Sequence, residues 1–447
     1  MTEEVHLPEP VLSILNKFSK SGYEIYIVGG AVRDILMGRM VNDWDFTTSA
    51  LPEEILKVIP EGFYDNQFGT VGLSIEGFEK PFEITTYRTE QGYSDSRHPD
   101  KISWGKSLEE DVSRRDFTVN ALAMDANLKI IDLFKGQEDI KDKLIRAVGD
   151  PNERFSEDAL RMMRAVRIAG ELNFTIEKET FEAIKKNAPL INKIAKERVK
   201  DELFKLLKSP NPYEGMILFR ESGLMAEVLP EMEKCFGVEQ KSPGRHHIYD
   251  VGTHLLMSLK SCKSEDVITR FATLVHDIGK PQTYRKLETG VITFYNHEMV
   301  STRIAENIAD RLRFSKKEKD KFVLLVRWHQ FTVDEHQTDS AIRRILKNVG
   351  LPNMEDMLSL RVADRLGGGA RETSWRLEEF KTRLIEVQKQ PFSINDLKID
   401  GTDVMKELNI KPGPKVGEIL EKLFEEVVEK KVENKKEELL KKIKETQ

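Results

Sequence analysis

The stretch YIVGGAVRDILMGRMVNDWDFTT, Tyr26 to Thr48, sets a strand-like run against a glycine pair, a short helical pattern and then Asp-Trp-Asp. Side chains alternate faces along an extended strand, so Asp43 and Asp45 should project together and Trp44 to the opposite side. Two carboxylates held together repel unless a cation lies between them, and hard oxygen ligands suit Mg2+. Gly29 and Gly30 let the backbone approach a ligand closely. They offer N–H groups and a helix start to a phosphate, and Arg33 in the first turn adds a fork of donors. The combination reads as a nucleoside triphosphate site, in which paired Mg2+ ions would activate a hydroxyl and neutralise a leaving pyrophosphate. The glycine spacing is neither G-x-G-x-x-G nor G-x-x-x-x-G-K-[ST], which argues against a dinucleotide fold and a P-loop.

The 447-residue chain has room for several domains, and with 39% hydrophobic and 33% charged residues it suits charge-rich helices around moderate cores. No apolar run approaches the length of a membrane span, and the start MTEEVHLPEP lacks a basic segment followed by an apolar one. The expectation is a cytoplasmic protein without membrane association. Cys235 and Cys262 stand far apart and support neither a disulfide framework nor a cysteine zinc site. Net charge is −6, so any nucleic-acid contact must come from local basic clusters. No obligatory protein partner is inferred.

Short β-rich runs (YEIYIV, TVGLSI, FEITTY, LKIID) mix with short helical ones up to about Asp132, and thereafter helix follows helix. The fold class expected is α+β: a head over residues 1–138 with a small mixed sheet, then all-α regions. These are a neck over 139–240, a histidine-bearing body over 241–370 and a helical tail over 371–447.

GG-x-V-R-D followed by D-W-D resembles the polymerase-β-like nucleotidyltransferase head, in the class II branch shared by bacterial tRNA CCA-adding enzymes and poly(A) polymerases. SRRDFTVNALAMD, Ser113 to Asp125, looks like that branch's R-R-D-F-T-x-N-A motif. The resemblance implies that Arg114, Arg115, Asp116 and Asn120 shape the triphosphate and ribose pocket. DLFKGQEDI, from Asp132, looks like the family's D-x-x-x-G element joining head to neck. Glu83 in FEITTY is a candidate third acidic residue near the metal pair.

DPNERFSEDALRMMRAVR carries Glu157-Asp158-x-x-Arg161, then Arg164 and Arg167. On one helix Asp158 and Arg161 would be neighbours, and an intrahelical salt bridge is the plain reading. Beside a triphosphate site another use exists. Cytosine and adenine each present an amino donor next to a ring-nitrogen acceptor, whereas uracil and guanine present a carbonyl next to a ring N–H. An acceptor-only Asp beside a donor-only Arg therefore takes C and A. The resemblance implies the same: this element selects CTP or ATP without a nucleic-acid template, with Arg164 and Arg167 holding phosphate or base. Arg198 and its neighbouring lysines are candidate tRNA-backbone contacts. The polar segment Arg88 to Trp104 reads as a mobile loop, and in the family such a loop goes with addition of the terminal A.

Seven of nine histidines fall between His246 and His336. His254, the pair His276-Asp277, and Asp364 follow the H…HD…D order of HD-domain metal phosphohydrolases, with His297 and His329 as second-metal candidates. Imidazole with carboxylate suits Mn, Ni, Fe or Zn better than Mg. The resemblance thus implies a tRNA nucleotidyltransferase that adds CCA, or the terminal A, to tRNA from CTP and ATP with pyrophosphate release by a two-metal mechanism, and an additional HD phosphohydrolase activity. The rival readings are a bacterial poly(A) polymerase, an HD phosphohydrolase with a nucleotide-sensing head, and an RNA-binding scaffold. Intact Asp43 and Asp45 argue against the last two.

Overall fold

The computed structural model describes residues 6–64, 69–91, 101–105, 107–240, 248–330, 339–372, 374–388, 394–428 and 431–445. The chain divides into two compact units, Met1–Lys234 with Asp310–Phe314, and Cys235–Ala309 with Ser315–Gln447.

The first unit opens with the helix Glu9–Lys20, which buries Val11, Ile14, Leu15 and Phe18, a stripe at three- and four-residue spacing. It packs into the same core as one face of a seven-stranded sheet. Its strands are β1 (Ile25–Val28), β2 (Asp45–Thr48), β3 (Phe63–Tyr64), β4 (Thr70–Leu73) and β5 (Phe82–Thr86), and, after an excursion, the later strands Leu122–Met124 and Ile130–Asp132. The spatial order is β3, β4, β5, β2, β1, then the two later strands. Strand β1 runs antiparallel to β2, with Val28 opposite Asp45, while β2 and β5 run parallel, with Asp45 opposite Glu83. The sheet is therefore mixed, and it is buried on both sides. Ile27 belongs to the larger core and Val28 to a smaller one with Tyr87, Leu108, Val112 and Ala123.

The segment read as a mobile loop behaves otherwise at its ends. Arg88–Gln91 pairs with Lys101–Trp104 as an antiparallel ribbon, while residues 92–100 lie outside the described residues. Polar strands of this kind show no apolar alternation, so periodicity does not reveal them. Beyond the sheet come helices including Pro151–Glu157, Leu160–Leu172, Lys178–Asn187 and Lys196–Lys208.

The second unit is largely helical. The helices Val251–Ser261, Val267–Val275, Lys316–Trp328 and Met354–Gly367 share a core in which Phe271 stacks on Phe322 at 4.9 Å. Gly367 lies against the first of these helices. A Cβ there would stand 2.1 Å from Ser258 Oγ and 2.6 Å from the Ser258 backbone nitrogen. The glycine thereby lets the two backbones approach within reach of each other's short side chains. A separate cluster, Val404, Val416, Leu420, Leu439 and Ile443 among others, joins the last three helices. The first of them, Gly401–Leu408, starts on an Asp400/Asp403 capping box and ends at Asn409 in the left-handed region.

Candidate active site and metal centre

Trp44 is buried in the core, 6.2 Å from Phe82, and its carbonyl accepts from the Glu83 N–H at 3.0 Å. This extended pairing turns Asp45, at the start of β2, away from the apolar face. Asp43 is exposed and Asp45 half-buried. Burial and the neighbouring Asp43 push the Asp45 carboxyl above its usual range, against the pull of Arg115, Lys80 and Arg164. Lys80 Nζ lies 2.6 Å from Asp43 Oδ2. Glu83 faces Asp45 in register on the parallel neighbour strand, which keeps it a candidate third carboxylate.

Gly29 adopts φ +73 between β1 and the helix Gly30–Leu36. A Cβ at Gly29 would lie 2.9 Å from Arg115 Nη1 and 3.7 Å from Asp45 Oδ2, so the glycine, the arginine and the aspartate converge on one point. Arg115 and Arg114 both reach the fully buried Asp111, at 3.4 and 2.6 Å. Burial raises the Asp111 carboxyl, yet the two arginines leave it below its usual range. Arg33 departs from expectation. Its fork is turned onto Asp34 Oδ1, at 3.0 Å from Nε, and onto Asn120 Oδ1, at 2.8 Å from Nη1. It braces the turn from beneath instead of offering free donors. Asn120 in turn donates to Asp116 Oδ1 at 3.2 Å. Asp116 receives Arg164 Nη2 at 2.6 Å and Nε at 2.7 Å. Burial pushes this carboxyl up, but Arg164 overcomes it and holds it down to about 2.

The neck corrects a second expectation. Asp158 and Arg161 do not share a helix face. The helix Pro151–Glu157 ends at Asp158, whose backbone is extended at φ −139, ψ 103. Asp158 Oδ1 accepts from the Leu160 N–H at 3.0 Å, opening the next helix as a capping aspartate does. Its other oxygen receives Arg198 Nη2 at 2.8 Å. Arg161 instead meets Glu157 Oε2 at 2.5 Å and donates to the carbonyls of Arg154 and Arg114 at 3.2 and 3.1 Å. Arg167, expected with Arg164 to hold phosphate or base, is taken up by Glu202 at 2.7 Å and Glu171 at 2.9 Å and joins two neck helices, as Arg164 is taken up by Asp116. Asp111 and Glu202 were not among the residues that motif reading selected, while Arg198, expected at the tRNA backbone, and Glu157, quoted only as part of its motif, are the partners of Asp158 and Arg161. Only tertiary contact shows their role.

In the second unit the expected residues do come together. His254 Nε2 stands 3.2 Å from His276 Nε2, 3.3 Å from Asp277 Oδ2 and 3.2 Å from Asp364 Oδ1. The other Asp277 oxygen lies 3.0 Å from His297 Nε2 and 3.4 Å from His329 Nε2. Asp277 thus links two clusters, His254–His276–Asp277–Asp364 and Asp277–His297–His329, whose potential ligand atoms lie within 4.8 Å of one another in each. Gly367 permits the helix approach that brings Asp364 to His254. The Nδ1 atoms of His276, His297 and His329 lie 2.7–2.8 Å from the carbonyls of Thr273, Phe294 and Val326. A carbonyl can only accept, so each Nδ1 carries a proton and each Nε2 points inward, where it offers a lone pair once a cation displaces any proton it shares with the carboxylates. Although burial opposes it, Asp277 and Asp364 raise the His276 imidazolium to about 10. Burial lowers His329 despite the help of Asp277. Inward lone pairs and carboxylates compete for any shared proton, and this donor set fits divalent cations.

A mixed sheet with a glycine turn set against an aspartate pair at the start of a strand defines a nucleotidyltransferase head. Residues 25–146 match the poly(A) polymerase head domain, 173–236 the probable RNA and SrmB-binding site of polymerase A, and 302–443 the putative tRNA nucleotidyltransferase domain 2. The chain is 35% identical to a CCA-adding enzyme of Ligilactobacillus salivarius over 97% of its length and 95% of the relative's. It is 34% identical to one of Limosilactobacillus reuteri over 98% and 96%. The crystal structure of the Bacillus stearothermophilus CCA-adding enzyme in complex with CTP superposes with a TM-score of 0.73 at 29% identity, covering 98% of both chains. The chain belongs to the CCA-adding enzyme family, the class II tRNA nucleotidyltransferases. Family membership implies a divalent metal ion for catalysis. Among the described residues, no helix is long and apolar enough to cross a membrane.

Proposed function

We propose that the protein extends the 3′ end of tRNA without a template, adding CCA or its terminal A from CTP and ATP in the cytoplasm. The convergence of Gly29, Asp45 and Arg115 supports this reading, because a backbone turn, a carboxylate and a guanidinium side by side suit a triphosphate and its metal. Asp43 and Asp45 would hold Mg2+, which supplies Lewis-acid activation of the attacking hydroxyl and charge neutralisation at the pyrophosphate. Arg115 binds phosphate oxygens from the glycine turn. Arg33 and Asn120 brace that turn and, with Arg164, fix Asp116 as an ionised acceptor for a sugar hydroxyl or a bound water. Arg114 stabilises Asp111, which anchors Arg115.

Base selection falls to Asp158 and Arg161, each held by its own partner, Arg198 and Glu157. Asp158 offers acceptors to the amino group common to C and A, and Arg161 offers donors to their ring nitrogen. The deciding experiment incubates the protein with tRNA ending at the discriminator base, at C or at CC, offering labelled CTP or ATP separately. Addition of two C residues and then one A supports full CCA synthesis. Extension of only the CC end by one A supports A-addition, and long A tails would overturn both in favour of poly(A) synthesis.

A second reading concerns the histidine cluster, because its inward Nε2 atoms suit resident transition-metal ions (Mn, Ni, Fe or Zn), with Asp277 common to both ligand groups. His254, His276, Asp277 and Asp364 would hold one ion, and Asp277, His297 and His329 the other. Such ions lower the pKa of a bound water, which suits phosphoester hydrolysis.

A further inference from the structure

A cavity of about 390 Å3 lies over the metal-ligand cluster and counts Asp277, His297, His329, Asp364 and Arg361 in its wall. Arg361 is also part of a second, smaller cavity of about 220 Å3, shared with Arg365, Ser374, Trp375, Arg376 and Leu377. None of those six side chains is acidic. Arg361 and Arg365 stand one helical turn apart on Met354–Gly367, the helix that also supplies Asp364. Arg361 Nη1 sits 2.9 Å from Asp364 Oδ2, while Asp364 Oδ1 faces His254 and His276. Trp375 opens the next helix with 59% of its surface exposed. The Arg376 guanidinium carbon lies 5.2 Å from its ring centroid. Among the described residues, Arg365 Nε is buried and has no hydrogen-bond partner. A buried donor without a partner carries a desolvation cost that an anionic or carbonyl oxygen would relieve.

The geometry points to a nucleoside-phosphate subsite in this smaller cavity: a base stacks on Trp375, and Arg365 and Arg376 take its phosphate or carbonyl oxygens. Arg361 is the threshold between this subsite and the metal centre. An exposed indole flanked by guanidinium groups has the chemistry that binds bases by stacking and phosphates by charge, with little dependence on sequence. The inference rests on the metal-centre reading only for what happens to the ligand after it binds; the subsite is defined by its own residues. It differs from the head site in chemistry, since it gathers no carboxylate pair for a metal-bound triphosphate. The ligand is a nucleotide bearing a simple phosphate ester, either free or at the end of an RNA chain.

The test titrates the full-length protein with adenosine 3′-phosphate, and in a second arm with a tetra-adenylate RNA carrying a 3′-phosphate, following tryptophan fluorescence and calorimetric heat. Both probes should give a saturable quench that Trp375→Leu removes, with a dissociation constant at least about tenfold weaker in Trp375→Leu, the scale of one lost base stack. Arg365→Gln should weaken both probes by a similar factor, and Trp375→Leu should leave ribose 5-phosphate, which has no base, unaffected. Tighter binding of the tetramer than of the mononucleotide assigns the subsite to RNA ends, and the reverse assigns it to free nucleotides. A quench that survives in Trp375→Leu, unchanged affinity in both variants, or no saturable binding of either probe overturns the proposal. Elemental analysis of wild type and His276→Ala keeps the two readings apart. Absent metal with an intact Trp375-dependent quench sinks the metal centre alone, whereas bound metal without the quench sinks the subsite alone.

Discussion

Asp45 in the head and Asp277 in the second unit are both carboxylates crowded by other acids, but they differ in what supplies the opposing charge. Around Asp45 the chain provides partly exposed cations: Lys80 on Asp43, Arg115 at the glycine turn, Arg164 on Asp116. Around Asp277 it provides buried imidazoles, three of them locked by backbone carbonyls so that Nε2 faces inward, with Lys280 as one cation at 2.6 Å. On the proposed function, the first arrangement would suit a metal carried in with its nucleotide and the second an ion that stays. Exposure and ligand softness, not the number of acids, would then separate the two.

The contrast is tested most severely by removing the head carboxylates. Asp43→Asn or Asp45→Asn should lower incorporation of both CTP and ATP by at least about a hundredfold, since even outer-shell changes at metal sites cost that much. Metal content of the second unit should not change, and tRNA binding by gel shift should persist. Near-normal addition by either variant would remove the metal-pair assignment. The reciprocal change, His276→Ala with Asp277→Ala, should bring tightly bound transition metal down to trace levels by elemental analysis. Nucleotide addition should stay within about twofold, as expected for sites without shared partners. A folded double variant that loses addition would show that the second unit serves the tRNA reaction.

A smaller effect comes from charge compensation within the head. Asp116 is held at about 2 by Arg164 against its burial, below the ordinary 3.8. A depressed carboxyl contributes stability that is complete above about pH 4 and is lost as pH falls towards 2. Asp116→Asn should therefore reduce unfolding free energy by about 2 kcal/mol at pH 7, and the two proteins should converge at about pH 2 in denaturant titrations. A constant difference across that range would assign the loss to packing. The smallest effect concerns base choice. Arg161→Ala should raise UTP and GTP misincorporation by only roughly 1 kcal/mol, the low end for one base-edge pair, because Asp158 keeps Arg198 as a neighbouring donor. Asp158→Ala should chiefly slow CTP and ATP. Two slower but equally selective variants would move nucleotide choice elsewhere.

The aspartate pair and the glycine turn were legible because they are local: alternation along a strand and a left-handed glycine follow from a few consecutive residues. The histidine cluster was legible as an ordered set, although the shared position of Asp277 required residues from five helices or helix ends to meet. The neck was misread for a physical reason. Spacing of three implies one helix face only where the helix is unbroken, and the capping preference of Asp158 breaks it. Arg33 and Arg167 carried the right chemistry, but Asp34, Asn120, Glu171 and Glu202 consume it. Such competition for a guanidinium has no signature in sequence.

Gly367 touches no ligand, yet it sets how tolerant the second unit can be of inherited change. Even alanine would force the backbone at Ser258 aside and, with it, the approach of Asp364 to His254. In a survey of missense variants this position should therefore be as intolerant as the metal-ligand positions themselves. A selection for the second unit's chemistry would keep glycine here while neighbouring surface positions drift, and relaxation at Gly367 in a descendant lineage would be an early mark that this chemistry had been abandoned.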